Sequence, residues 1–142
     1  MLCEKVVNSG QFLPIYWRKV INNPKKHQKP SSFGSNNKNK GSGYNDIFTL
    51  AFSHHKENNL DKAEELYTSC LDINPKDPLI LHNLGVIFLQ TGRLDNAIQK
   101  FYEAIKYKPK YLDALCNLGI ALKNLGKLEE AVEIYNEALD IE

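Results

Sequence analysis

Asn83 and Asn117 stand 34 residues apart, each opening an Asn-Leu-Gly tripeptide. A carboxamide carries a donor and an acceptor together. Two of them at a fixed interval suit the main chain of an extended peptide, held without reading its side chains. The other residues with chemical potential point away from catalysis. His54 and His55 are adjacent, and neighbours on a helix diverge by about 100°, so they share no face as an i,i+4 metal pair does. Glu129, Glu130 and Glu133 lie beside Lys127 in an amphipathic register and read as a solvated helix face. Ser9-Gly10 and Gly41-Ser42-Gly43 match neither a nucleophile elbow nor a phosphate loop. Cys3, Cys70 and Cys116 are odd in number and lack Cys-x-x-Cys spacing, which is the pattern of neither a disulfide framework nor a zinc site. The expectation is a protein that binds and does not catalyse, with no metal and no cofactor.

The interval between the two asparagines also organises the residues that must position them. Leu60, Leu94 and Leu128 keep it, as do Ala63, Ala97 and Ala131, and Tyr67, Phe101 and Tyr135, with Pro75 and Pro109 closing the first two copies. A fixed period in this range marks a repeat solenoid, an architecture that builds extended binding surfaces. Each of the two clearer copies holds two stretches with apolar residues three or four apart, broken at Gly92 or Gly126. That is a pair of helices with a glycine C-cap between them. Gly85 and Gly119 fall in mid-helix, where glycine costs about 1 kcal/mol relative to alanine. A neighbouring helix that leaves no room for a Cβ accounts for the cost, and Ala97, Ala104, Ala131 and Ala138 repeat the signature on the second helix. Phe101 and Tyr135 then fill the wedge between hairpins, and Asp77-Pro78 reads as an N-cap with a first-turn proline. The first copy carries Ala51, Asn58 and Cys70 at the small and turn positions.

Taken together, the Asn-Leu-Gly pair, the turn glycines, the alanine–aromatic–alanine series and the closing prolines resemble the tetratricopeptide repeat. The resemblance covers residues 44–142 in three copies, 44–77, 78–111 and 112–142. It implies an all-α fold, a right-handed solenoid of three helix hairpins (six helices) in which the first helix of each hairpin lines a concave groove. On that geometry Asn83 and Asn117, with Thr49 in the first copy, become rungs of a ladder, similar to the asparagine ladder in the repeat arms of O-linked N-acetylglucosamine transferases. Phe48, Phe52, His82, Val86, Leu89, Cys116, Ile120, Lys123 and Asn124 complete the lining. Some relatives grip acidic chaperone tails with a two-carboxylate clamp of Lys, Asn and Arg. The corresponding places here hold Phe48, Phe52, Asn83, Asp113 and Asn117, a set unsuited to that task. The resemblance therefore implies a scaffold for protein–protein interaction, taking an extended, partly apolar peptide or partner segment. The alternative is the substrate-recruiting part of a larger transferase.

Composition bounds the partners. Residues 1–43 carry eight Lys or Arg against Glu4 alone, a charge of +7, whereas residues 44–142 carry ten basic and sixteen acidic side chains, a charge of −6. The stretch from Asn22 to Gly43 is rich in Asn, Lys, Ser, Gly and Pro, too poor in apolar residues to offset the entropy of ordering, and reads as a flexible linker in a disordered basic arm. Before it, residues 11–21 gather the only Trp with other aromatic and apolar residues around Pro14, a segment suited to docking on a partner, a membrane surface or this same protein. Nucleic acid is not an expected partner. No stretch reaches the roughly 20 apolar residues of a membrane span, and Glu4 and Lys5 interrupt any signal-peptide core, so a reducing cytoplasmic setting is expected. The sequence stops inside the last helical pattern, so Val132, Tyr135 and Leu139 are expected to stay partly uncovered, as a surface for self-association or for more of a longer protein.

Overall fold

The computed structural model of the chain describes residues 40–141. The expected basic arm, with its aromatic-apolar segment 11–21, lies outside the described residues over 1–39. Among the described residues there are six helices and no strand: α1 (Lys40–Lys56), α2 (Leu60–Ile73), α3 (Pro78–Gln90), α4 (Leu94–Tyr107), α5 (Leu112–Asn124) and α6 (Leu128–Leu139). They pair as α1–α2, α3–α4 and α5–α6. The second helix of one hairpin packs on the first of the next, and α3 meets α5 in a thinner contact.

The turns within hairpins are three versions of one solution. Asn58, Gly92 and Gly126 each adopt a positive φ, of 60°, 74° and 87°. Asparagine is the residue other than glycine that enters the left-handed region most readily, so the first turn keeps its shape without a glycine. Between hairpins the chain is set by Asp77, whose Oδ1 accepts from Leu79 N at 2.9 Å and Ile80 N at 3.4 Å, ahead of Pro78 at the first helical position. The other Asp77 carboxylate oxygen accepts from the Tyr44 hydroxyl, tying the α3 entry to the first turns of α1.

The small residues have the reason the sequence implied. A Cβ on Gly85 would stand 2.6 Å from Phe101 Cε1, and one on Gly119 would meet the Tyr135 ring in the same way. Tyr67 and Phe101 are fully buried with Ala51, Ala63, Cys70, Ala97 and Ala104. Tyr135 is only half-buried, and Val132 and Leu139 are 57% and 61% exposed, as expected of the last hairpin.

One boundary differs from the reading of composition. The helix expected from residue 44 begins at Lys40, so Gly41-Ser42-Gly43 is its first turn. Adding residues to a helix whose later turns are held by packing costs little, because each brings its own hydrogen bond without a new nucleus. Among the described residues no helix is long and apolar enough to cross a membrane.

Candidate peptide-binding face

At about 100° per residue, Leu89, His82, Val86 and Asn83 fan over roughly 120° of α3, with Gly85, which faces Phe101 of α4, beyond the Leu89 edge. Cys116, Asn117 and Ile120 hold the equivalent side of α5, with Phe48, Thr49 and Phe52 on α1. α3 meets α5 directly, and His55 near the end of α1 pairs with Gln90 at the end of α3, so these sides lie next to one another as a candidate face.

The face has a closed centre and open ends. His82 is 0% exposed, Asn83 2% and Asn117 5%, and Val86, Leu89, Cys116 and Ile120 are buried beside them. Phe48 and Phe52 are half-buried at one end, while Thr49, Lys123 and Asn124 are exposed. The rings of Phe48 and Phe52 stack with centroids 6.4 Å apart, Phe48 lies 6.3 Å from Tyr67, and Lys56 Nζ caps Phe52 at 5.9 Å. Thr49 differs from the two asparagines, because its hydroxyl donates to the Asn45 carbonyl at 2.8 Å and is committed to its own helix.

His82 is the centre of the buried part. Its ring sits between Tyr111 and Phe101, with centroid separations of 5.0 and 5.8 Å, and its Nε2 lies 2.9 Å from Asn117 Nδ2. Burial, reinforced by the positive charge of His55 and Lys108, depresses its pKa to about 3, so the ring is neutral at physiological pH.

Among the described residues four buried side-chain polar atoms lack a hydrogen-bond partner: His82 Nδ1, Asn83 Nδ2, Asn117 Oδ1 and the Tyr67 hydroxyl. Each such atom costs about 1–3 kcal/mol of desolvation that no bond returns, and most proteins leave few. Three of the four belong to adjacent first helices on one face.

The two histidines read against metal binding go to different places. His55 Nε2 pairs with Gln90 Oε1 at 3.2 Å and its ring meets Tyr67 edge-on, whereas His54 Nδ1 lies 3.4 Å from Asn59 Nδ2. Burial lowers the His55 pKa, partly offset by the bond to Gln90. No group of three His, Cys, Asp or Glu among the described residues is placed to hold a metal ion. The sequence reading missed the partnership of His82 with Asn117 and that of His55 with Gln90. Both span 35 residues, one more than the repeat, so comparing positions at the repeat period does not reveal them.

Three family models described as tetratricopeptide repeat match residues 47–77, 66–99 and 112–142, and one described as TPR repeat matches 87–126. No curated protein matches the chain by sequence. Among solved structures, the second TPR of Spaghetti (RPAP3) bound to the HSP90 peptide SRMEEVD is 24% identical with a TM-score of 0.67, over 70% of this chain and 92% of that one. The first TPR of the same protein, also bound to that peptide, is 24% identical with a TM-score of 0.68, over 71% and 80% of the two chains. The Arabidopsis OM64 TPR domain is 22% identical with a TM-score of 0.68, over 71% and 84%. At these identities the likeness is one of fold.

Proposed function

Residues 47–142 of this chain belong to the tetratricopeptide-repeat family, and from that premise we propose that the chain is a binding module whose concave face holds an extended, partly apolar peptide by its main chain. The observation that carries the reading is the trio of unpartnered buried atoms, His82 Nδ1, Asn83 Nδ2 and Asn117 Oδ1. An extended peptide presents N–H and C=O groups outward in alternation, and these would complete the trio while its side chains met Phe48, Phe52, Val86, Leu89 and Ile120.

The two Spaghetti domains hold an HSP90 peptide, so this fold accommodates peptide ligands. The chemistry of this face selects a different one. Its buried centre carries two neutral amides and a neutral imidazole among apolar side chains, and burying a peptide carboxylate there would be costly. The preferred peptide is uncharged in the segment that crosses α3 and α5.

A displayed library of random 12-residue peptides, selected on the full chain and on an Asn83→Leu/Asn117→Leu variant, tests the reading. Wild type should enrich apolar sequences that bind equally well with an amidated C-terminus, and the variant should not retain them. Equal enrichment by both chains, or a requirement for a free terminal carboxylate, would rule the reading out.

A further inference from the structure

We infer that His82 is a positioning residue for this face: its Nε2 takes the Asn117 Nδ2–H and so turns the Asn117 carbonyl oxygen to the groove as the acceptor for a peptide N–H. The inference rests on the main-chain-binding reading above and adds a polarity to it.

A side-chain amide is a double-ended group, and an unconstrained asparagine can offer either its oxygen or its nitrogen to a ligand. Asn117 is constrained. Its nitrogen lies 2.9 Å from His82 Nε2, and its oxygen is buried without a partner. The imidazole that imposes this is itself fixed, wholly buried between Tyr111 and Phe101. A neutral imidazole that accepts on Nε2 carries its proton on Nδ1, and that nitrogen is also unpartnered. Burial disfavours the doubly protonated ring, which keeps Nε2 available as an acceptor.

The face then offers a fixed set: donors from Asn83 Nδ2–H and His82 Nδ1–H on α3, and an acceptor from Asn117 Oδ1 on α5. A peptide carbonyl fits opposite α3 and a peptide N–H opposite α5. A peptide residue with no N–H, proline or an N-methyl amino acid, is refused opposite Asn117. Asn83 lacks such a positioning partner. The residue one repeat and one step before it is Phe48, which has no acceptor to offer.

The test has two arms on the full chain. In the first, long-range proton–nitrogen NMR correlation reads the tautomer of His82 without ligand, in a chain carrying His27→Gln, His54→Gln and His55→Gln so that one imidazole remains. The expected result is a proton on Nδ1, a bare Nε2, and a coupling from the Asn117 amide protons across the hydrogen bond. A proton on Nε2 reverses the Asn117 amide and overturns the inference. In the second, the strongest 12-residue peptide selected on wild type is N-methylated at one residue at a time. One position should lose roughly tenfold in affinity, the scale of one hydrogen bond. That sensitivity should vanish in His82→Phe, which keeps the ring and removes the acceptor, and return in His82→Gln, whose amide oxygen can accept. Unchanged sensitivity in a folded His82→Phe chain would overturn it. A wild-type chain that selects no peptide defeats the binding reading instead, and the tautomer still decides the role of His82.

Discussion

Asn117 and His82 interlock across one repeat plus one residue, with Nδ2 and Nε2 2.9 Å apart over a separation of 35. His55 and Gln90 repeat the separation at 3.2 Å. Facing side chains on successive first helices are thus offset by one position. The offset decides which polar groups are used within the protein and which are left over. Asn117 finds a histidine 35 residues before it, whereas Asn83 finds Phe48 there and keeps an unpartnered buried amide nitrogen.

The two asparagines should therefore respond oppositely to removal. Asn117→Leu strips the donor from a fully buried imidazole and should destabilise the chain by about 1–3 kcal/mol. Asn83→Leu deletes an amide nitrogen that makes no bond and should be neutral or stabilising, by up to about 1 kcal/mol, while weakening peptide binding. Urea unfolding of the two single variants checks this. Equal losses would mean that Asn83 is already satisfied within the fold.

Two glycines make a second contrast. Gly85→Ala would place a Cβ 2.6 Å from the buried Phe101 ring, and overpacking of this kind costs about 1–3 kcal/mol. Gly43 lies in α1 with nothing within 4 Å of its Cβ position. Gly43→Ala should stabilise by about 0.5–1 kcal/mol through helix propensity alone. Thermal unfolding of both variants against wild type shows whether the signs differ as expected.

The fold was legible because its determinants recur. Gly85 and Phe101, Gly119 and Tyr135, and the turn series Asn58, Gly92 and Gly126 each state one steric requirement more than once, and a period of 34 makes repetition visible. The family geometry also put Asn83, His82 and Val86 on one face. It did not disclose that His82 is sandwiched by Tyr111 and Phe101 or bonded to Asn117, because those contacts join unlike residues at a distance that is not the period. Thr49 shows the opposite failure. It occupies the same repeat position as the asparagines, yet a hydroxyl on a shorter side chain is satisfied by the carbonyl one turn back.

Asp77 should behave as a junction as well as a cap. Asp77→Ala removes the acceptor of the first two α3 amides and the partner of the Tyr44 hydroxyl. Loss of a cap costs about 1 kcal/mol, and the lost inter-helix bond should bring the total to roughly 2 kcal/mol. Asp77→Asn keeps a side-chain acceptor and should recover at least half of the loss. Guanidinium midpoints of the two variants, with Tyr44→Phe to isolate the hydroxyl, apportion the effect.

Acid should expose His82. Its folded pKa of about 3 lies below the value near 6.5 expected of an unfolded histidine. Below about pH 6.5 the unfolded chain binds a proton that the folded ring refuses. This group's contribution is therefore complete above that pH and is lost as pH falls toward 3, at up to about 1.4 kcal/mol per pH unit. Below about 3 the folded ring would titrate too, and the slope from this group would end. Depression of the His55 pKa acts in the same direction, and the carboxylates are common to every variant, so the informative quantity is a difference. His82→Gln removes the titration while retaining an amide oxygen for Asn117. Between pH 6 and pH 4 its urea-unfolding free energy should fall less steeply than that of wild type, by about 1 kcal/mol per unit. Parallel lines for the two chains would mean that the ring takes up a proton in the folded state and that its bond to Asn117 does not depend on a neutral Nε2.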